Sequence, residues 1–358
     1  MSFRRLRILG VRNLADADLD LGVGENWFVG ENGAGKTSIL EAIYVASRGR
    51  GFRAGGLRAI ANRELGRFEI FAELSGCDAG KVGVGFYRGS EPLTVRIDGE
   101  TRSRAALVGA TRILYFGSHS HQLVEGGPKV RRQFMDWGAF HVKQGFPGAW
   151  SHYARALRQR NAALRSRDLR TAEALEGPLS AAGEILSNGR RELVDALRGP
   201  FARVCKALQV TLEVELRYRR GWRSEFGSLS EAFREGRGHD ATRETTMVGP
   251  HRAELALVCE NRPAKEVLSH GQEKLVALAL IIAQAEVVSS GPECDVALLL
   301  DDLAAELDTL RYEAAIAEVR RLGHQFVCTA TSERLVPQPT PGTARVFHVK
   351  HGAIAQVL

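Results

Sequence analysis

Short apolar alternations open the chain and return toward its end, while amphipathic stretches fill its middle. Phe3, Leu6, Ile8 and Val11 mark a first strand, Leu19 and Leu21 a second, and Trp27 with Phe28 a third. Thr37 to Ala46 (TSILEAIYVA) places Ile39, Leu40, Ile43, Tyr44 and Ala46 at helical spacing. Strand character resumes at Phe68 to Leu74, Val82 to Arg88, Leu93 to Ile97 and Arg112 to Phe116, between glycine-rich breaks that predict hairpins. From Lys129 the spacing turns helical. Val130 to Val142, Trp150 to Arg167 and Thr171 to Leu197 predict three helices, the last two paired as a hairpin around Asp168. The heptad pattern is not sustained there, which excludes a long coiled coil. Val210 to Tyr218 alternates as a strand, Ser269 to Val288 reads as a long helix, and Val296 to Leu300 as a buried strand.

At 358 residues the chain can hold two domains, or one large domain with an insertion. Apolar residues make up 44% and charged residues 25%, an ordinary balance for a globular protein. No apolar run reaches the ~18–20 residues that span a bilayer. The opening MSFRRLRILG lacks the apolar core of a signal peptide. Cys77, Cys205, Cys259, Cys294 and Cys328 are scattered and form no C-x-x-C pair. Buried thiols in a reducing cytoplasm are expected, not a disulfide framework or a zinc ribbon. The net charge of +7 is unevenly spread: residues 129–245 carry 22 Lys+Arg and 14 Asp+Glu, leaving 27 and 28 elsewhere. A basic segment in a neutral frame points to a polyanionic partner, most simply nucleic acid, or to an arginine-rich solvated helix face.

Gly30 to Thr37 (GENGAGKT) fits the phosphate-binding pattern of Gly, four residues, then Gly-Lys-Thr. Gly30, Gly33 and Gly35 permit backbone conformations in which the N–H groups of Glu31, Asn32 and Ala34 and their neighbours converge on an anion. Lys36 can reach the β- and γ-phosphates, Thr37 can place its hydroxyl on Mg²⁺, and Ser38 lies in a helix start whose positive end faces the phosphates. VALLLDD, Val296 to Asp302, supplies the second half of such a site. Asp301 would hold Mg²⁺, and Asp302 would orient or deprotonate the attacking water. In LSHGQEK, Leu268 to Lys274, Ser269 and Gly271 sit at a helix start. Ser269 is there an N-cap with Gln272 as capping-box partner, a second anion-binding end, or both. Arg48, Arg50, Arg53 and Arg58, with Arg131, Arg132, Arg155, Arg158 and Arg165 in the basic middle, are candidate DNA-phosphate contacts. Arg131 and Arg132 are equally readable as structural ion-pair partners.

Together these pieces resemble the ATPase heads of the ABC superfamily, in which the serine-glycine signature of one subunit closes on the nucleotide of another. Ala305-Glu306-Leu307-Asp308 resembles the D-loop, and Phe326 to Ser332 (FVCTATS) the Thr/Ser-bearing switch of the DNA-repair branch. More specific blocks are Arg12-Asn13-Leu14, the run from Gly30 to Arg53, GGPKVRRQFMDWGAFH (Gly126 to His141), VGPHRAEL (Val248 to Leu255) and LLLDDLAAELD (Leu298 to Asp308). Through them the chain resembles the RecF family of bacterial recombination mediators along nearly its whole length. His270, Gly51 and Ala305 depart from the family pattern without removing a phosphate or metal contact.

The resemblance implies an α/β fold: an ABC-type P-loop ATPase head of mixed sheets and helices (residues 1–128 and 246–358) with an inserted, basic, mainly helical lobe (129–245). It implies ATP and Mg²⁺ as cofactors, Arg12 and Asn13 beside the nucleotide, and Gln122 as a link to the metal. It implies an ATP-dependent homodimer in which Lys36, Asp301, Asp302 and Ser269 serve slow, DNA-stimulated hydrolysis. The family acts in gap repair, binding duplex, gapped or junction DNA without sequence preference and loading RecA with RecO and RecR, in the cytoplasm at the nucleoid. An SMC-like chromosome ATPase would need long coiled-coil arms, and a transporter subunit would need a switch histidine and no basic lobe.

Overall fold

In the computed structural model of the chain, the alternating segments near the N-terminus pair into one antiparallel sheet. Its strands run in the order Ala17–Asp20, Ser2–Leu9, Arg67–Ser75, Lys81–Tyr87, Thr94–Ile97 and Glu100–Thr101. Every second side chain faces inward, as the period of a strand requires, except where the register shifts between Phe3 and Arg5. Phe3, Leu6 and Ile8 thereby meet Phe68, Ile70, Val82 and Val84 in one core, where Phe68 and Phe86 stack with ring centroids 5.6 Å apart. Gly10, at φ +62°, ends the first strand, so Val11 makes only an isolated bridge to Ala61.

The structure describes residues 1–89, 93–290 and 295–357; Cys294, expected to be a buried thiol, lies outside them. These residues group into two units. One comprises Met1–Ser120, Val204–Gln209 and Leu278–Leu358, the other His121–Arg203 and Val210–Ala277.

The first unit also holds a second sheet, ordered Ala353–Gln356, Arg345–Lys350, Glu25–Val29, Phe326–Ala330, Ala297–Leu300 and Ile113–Phe116. All its neighbours are parallel except the hairpin at the Ala353–Gln356 edge. Glu25–Val29, Ala297–Leu300 and Phe326–Ala330 are buried at every position. Burial on both faces explains why Ala297–Leu300 reads as a continuous apolar run and not as an alternation. Helix Lys36–Arg48 follows Glu25–Val29 through the glycine loop and packs on strands of both sheets. Ile39, Leu40, Ala42 and Ile43 are wholly buried there, so the helix that carries the loop is anchored on two sides.

The second unit contains helices Pro128–Val142, Phe146–Arg165, Leu169–Ala174, Leu229–Arg243 and Glu176–Ala207, the last as far as Arg203. A three-stranded antiparallel sheet of Arg262–Pro263, Glu254–Cys259 and Glu215–Arg219 accompanies them. Arg160, 1% exposed, donates through its two terminal nitrogens to Asp240 at 2.7 Å, Thr246 at 2.8 Å and Glu176 at 3.0 Å. A buried guanidinium persists only with such partners.

Three elements differ from the sequence-based expectation. The strand expected over Val210 to Tyr218 is confined to Glu215–Arg219, the stretch that finds a ladder partner in Glu254–Cys259. The helix expected over Thr171 to Leu197 is two helices, the first starting at Leu169 because Asp168 caps it through Thr171 N. Helix Leu229–Arg243, which contains Gly236 and Gly238, has no counterpart in the sequence-based expectation. Its buried apolar side chains, Leu229, Ala232 and Phe233, are confined to its start, and further along Asp240 against Arg160 anchors it. Among the described residues no helix is long and apolar enough to cross a membrane.

Candidate nucleotide site

The loop from Gly30 to Gly35 leaves the C-terminal edge of the parallel sheet, where ligands of open α/β sheets bind. Gly33 takes φ +81° and Gly35 φ +118°, conformations that disfavour side-chain-bearing residues, and a Cβ on Gly33 would project into open space. The buried Lys36 ammonium donates to Gly30 O at 2.6 Å and Glu31 O at 3.0 Å, within the loop that would cradle a phosphate. A cavity of about 630 Å³ opens beside it, lined by Arg12, Asn13, Asn32, Lys36, Thr37 and Asp302 among others. The Ser38 hydroxyl lies 3.5 Å from Asn13 Oδ1. Backbone glycines, a lysine and open volume together fit a nucleoside triphosphate tail.

Asp301, 8% exposed, follows strand Ala297–Leu300 and sits behind Thr37, which lines the cavity. Its Oδ1 accepts from Thr37 Oγ1 at 3.1 Å and from Thr329 Oγ1 at 3.0 Å, and its Oδ2 from the Tyr115 hydroxyl at 3.3 Å. Burial pushes the Asp301 carboxyl above the usual range, and the Thr329 and Thr37 hydroxyls oppose that rise. The Thr329 hydroxyl also accepts from Asp302 N at 2.7 Å, so one oxygen locks both acids. Asp302 adopts φ +52° and lines the cavity. A non-glycine residue in that region is worth a functional reading. A threonine hydroxyl and a carboxylate are hard oxygen donors, a set suited to Mg²⁺.

Arg12 makes an ion pair with Glu41, which is wholly buried in helix Lys36–Arg48. Asn62, also at the cavity, donates to Arg12 O at 3.1 Å. Two expected DNA contacts are placed elsewhere. The Arg48 guanidinium donates to Ile113 O at 2.8 Å, and burial pulls its pKa down to about 10. That takes it away from an outward-facing surface. Arg53 lines the nucleotide cavity, with its N–H 3.4 Å from Glu41 Oε1. Arg50 and Arg58 are exposed. The sequence reading missed Glu41, Asn62 and Tyr115. For Glu41 a signal existed, since it is the lone carboxylate inside TSILEAIYVA.

The other candidates belong to the second unit. Ser269 N donates to Gln272 Oε1 at 2.9 Å while Ser269 Oγ accepts from Gln272 N at 3.4 Å, a reciprocal capping box at the start of helix His270–Ser289. Ser269 and Gly271 are exposed. The Gln122 amide nitrogen lies 3.3 Å from both His121 Nε2 and Glu125 Oε2. Arg131 grips Glu254 through Nε at 2.8 Å and Nη2 at 3.1 Å, and Gly126 O through Nη1 at 2.6 Å. Arg132 donates to Ala253 O at 2.8 Å. Arg131 is therefore an ion-pair partner, whereas Arg132 meets a backbone carbonyl; the two tie helix Pro128–Val142 to strand Glu254–Cys259 and the residue before it. Arg155, Arg158 and Arg165 are exposed.

The sequence matches the RecF/RecN/SMC N terminal domain family over residues 2–355. It is 33% identical over 349 residues to the DNA replication and repair protein RecF of Hydrogenovibrio crunogenus, covering 96% of each chain. It is 36% identical over 365 residues to the protein of the same name from Stutzerimonas stutzeri, covering 100% of this chain and 98% of that one. Among solved structures, the recombination mediator protein RecF-ATP of the RecFOR pathway has a similar fold, with a TM-score of 0.85 at 20% identity over 99% of this chain and 97% of that one. An SMC head bound to the C-winged helix domain of ScpA is less alike, with a TM-score of 0.62 at 14% identity over 99% and 96%. Full-length relatives at this identity make the placement plain: the chain belongs to the RecF family.

Proposed function

We propose that this chain is an ATP-dependent DNA-binding protein of gap repair and recombination. It dimerises on ATP and Mg²⁺, binds duplex or gapped DNA without sequence preference, and helps RecO and RecR load the RecA recombinase. The carrying observation is the bond from Thr37 to Asp301, which joins the phosphate loop and the strand-end acid into one hard-oxygen site. That relatives are DNA replication and repair proteins, and that a similar fold was solved as RecF-ATP, supports the reading.

In this reading the N–H groups of the loop from Gly33 to Ser38 bind the phosphates, and Lys36 turns from the loop carbonyls to the β- and γ-oxygens. Thr37 and Asp301 would hold Mg²⁺, which when bound would supply charge neutralisation at those oxygens. Asp302 orients water at the cavity mouth. An aspartate reaches less far than a glutamate, which suits slow hydrolysis and a switch role. Ser269, at an exposed helix start, acts on the nucleotide of a second copy. Residues 1–128 and 246–358 serve as the ATPase head and 129–245 as the basic lobe, working at the nucleoid. Arg50 and Arg58, with Arg155, Arg158 and Arg165, meet DNA phosphates, which carry no sequence information.

ATP hydrolysis measured with gapped, duplex and single-stranded DNA tests the proposal, with Lys36→Arg beside the parent. Stimulation of the parent by gapped or duplex DNA, lost in the variant, is expected. A parent rate indifferent to every DNA would contradict it.

A further inference from the structure

We infer that Tyr115 is a positioning residue for the metal-binding carboxylate, an inference that rests on the nucleotide reading above. Strand Ile113–Phe116 runs parallel beside Ala297–Leu300, with Phe116 opposite Leu300, so Tyr115 reaches the strand end where Asp301 emerges. Its hydroxyl donates to Asp301 Oδ2, the oxygen opposite the one that Thr37 and Thr329 hold.

Two features keep the hydroxyl there. Gly117 leaves room for it: a Cβ at that position would lie 2.1 Å from the Tyr115 hydroxyl oxygen, closer than any real contact. The ring is face-stacked on Phe52, centroids 4.0 Å apart and planes 17° apart, and Tyr44 meets both rings edge-on. These partners come from helix Lys36–Arg48 and the segment after it, so the phenol is braced from two elements. A tyrosine needed only for packing would turn its hydroxyl to water. This one is partly buried and directs its hydroxyl at a carboxylate.

The consequence is chemical. A donor on Oδ2, opposite the two on Oδ1, fixes the carboxylate plane of Asp301. Tyr115 thereby keeps the carboxylate turned toward the cation. Second partners of this kind tune metal ligands generally.

The test compares the parent with Tyr115→Phe, which keeps the stack and removes one oxygen. Mn²⁺ binding in the presence of a slowly hydrolysed ATP analogue is followed by electron paramagnetic resonance at neutral pH. Metal-free analogue affinity and the melting temperature are measured alongside. The variant should need roughly tenfold more Mn²⁺, with both control readings unchanged. An unchanged metal requirement would overturn the inference. So would a general loss of analogue affinity and melting temperature, which would make Tyr115 a packing residue. A parent that binds no analogue even without metal would overturn the nucleotide reading itself, and the inference with it.

Discussion

The Thr37 hydroxyl donates to Asp301 Oδ1 at 3.1 Å although 264 positions separate the two residues. Their strands, Glu25–Val29 and Ala297–Leu300, are not neighbours in the sheet. Phe326–Ala330 lies between them, and its Thr329 binds the same carboxylate. The site is therefore assembled from three adjacent strand ends, and each hydroxyl tests a separate part of it.

Thr329→Val keeps the shape and removes the hydroxyl that serves Asp301 and Asp302 N. Two polar groups are left short of a partner, so unfolding free energy should fall by about 1–3 kcal/mol. Thr329→Ser should restore both bonds. Urea unfolding of the three proteins checks this.

The P-loop and the paired acids were legible because each is a local pattern with a fixed chemical purpose. The Ser269 capping box was legible for the same reason, since its partner is three residues away. Glu41, Tyr115 and Arg48 were not, because their roles depend on neighbours distant in sequence: Arg12, Asp301 and the Ile113 carbonyl. Arg53 reads as one more basic residue until the fold turns its segment toward the cavity. Helix Leu229–Arg243 escaped because its buried apolar positions, Leu229, Ala232 and Phe233, stop after its start, and its later anchor, Asp240, is a charged residue whose partner Arg160 is distant in sequence.

Lys36→Ala removes an ammonium that makes two bonds within the phosphate loop. Charge-assisted bonds contribute about 1.5–3 kcal/mol each, so affinity for a fluorescent ATP analogue should drop at least tenfold. Equilibrium titration measures it, and an unchanged affinity would remove Lys36 from the site.

Asp302→Asn preserves the left-handed turn, which asparagine tolerates, and removes the base. ATP turnover should fall by about 10²–10⁴-fold while ATP binding remains. Single-turnover kinetics separate the two. Unaltered hydrolysis would exclude the role assigned to Asp302.

His251 lies between the Tyr153 hydroxyl at 2.7 Å and Thr246 O at 2.9 Å. A neutral ring satisfies both, with Nε2–H donating to the carbonyl and Nδ1 accepting from the phenol. Burial pulls its pKa down to about 4 from the usual 6.5. The unfolded chain therefore binds the proton first, and stability present above about pH 6.5 is lost as pH falls toward about 4, by at most ~1.4 kcal/mol per pH unit. Denaturant midpoints at neutral and mildly acidic pH should show this slope, and His251→Gln should flatten it.

Reversing the exposed Arg50 and Arg58 to glutamate should weaken DNA binding and lower the salt-dependence slope by about two, roughly 0.9 for each lost phosphate contact. Arg131→Ala should instead lower stability, because it strands Glu254. DNA titrations across salt concentrations, with melting curves for each variant, distinguish the two outcomes.

The most direct test of an ATP-gated switch is sedimentation of the chain at micromolar concentration, with and without ATP and Mg²⁺, beside Asp302→Asn and Lys36→Ala. The account predicts a dimer for the parent only with both ligands, a more persistent dimer for Asp302→Asn, and monomer throughout for Lys36→Ala. A parent that stays monomeric with ATP and Mg²⁺ would contradict it.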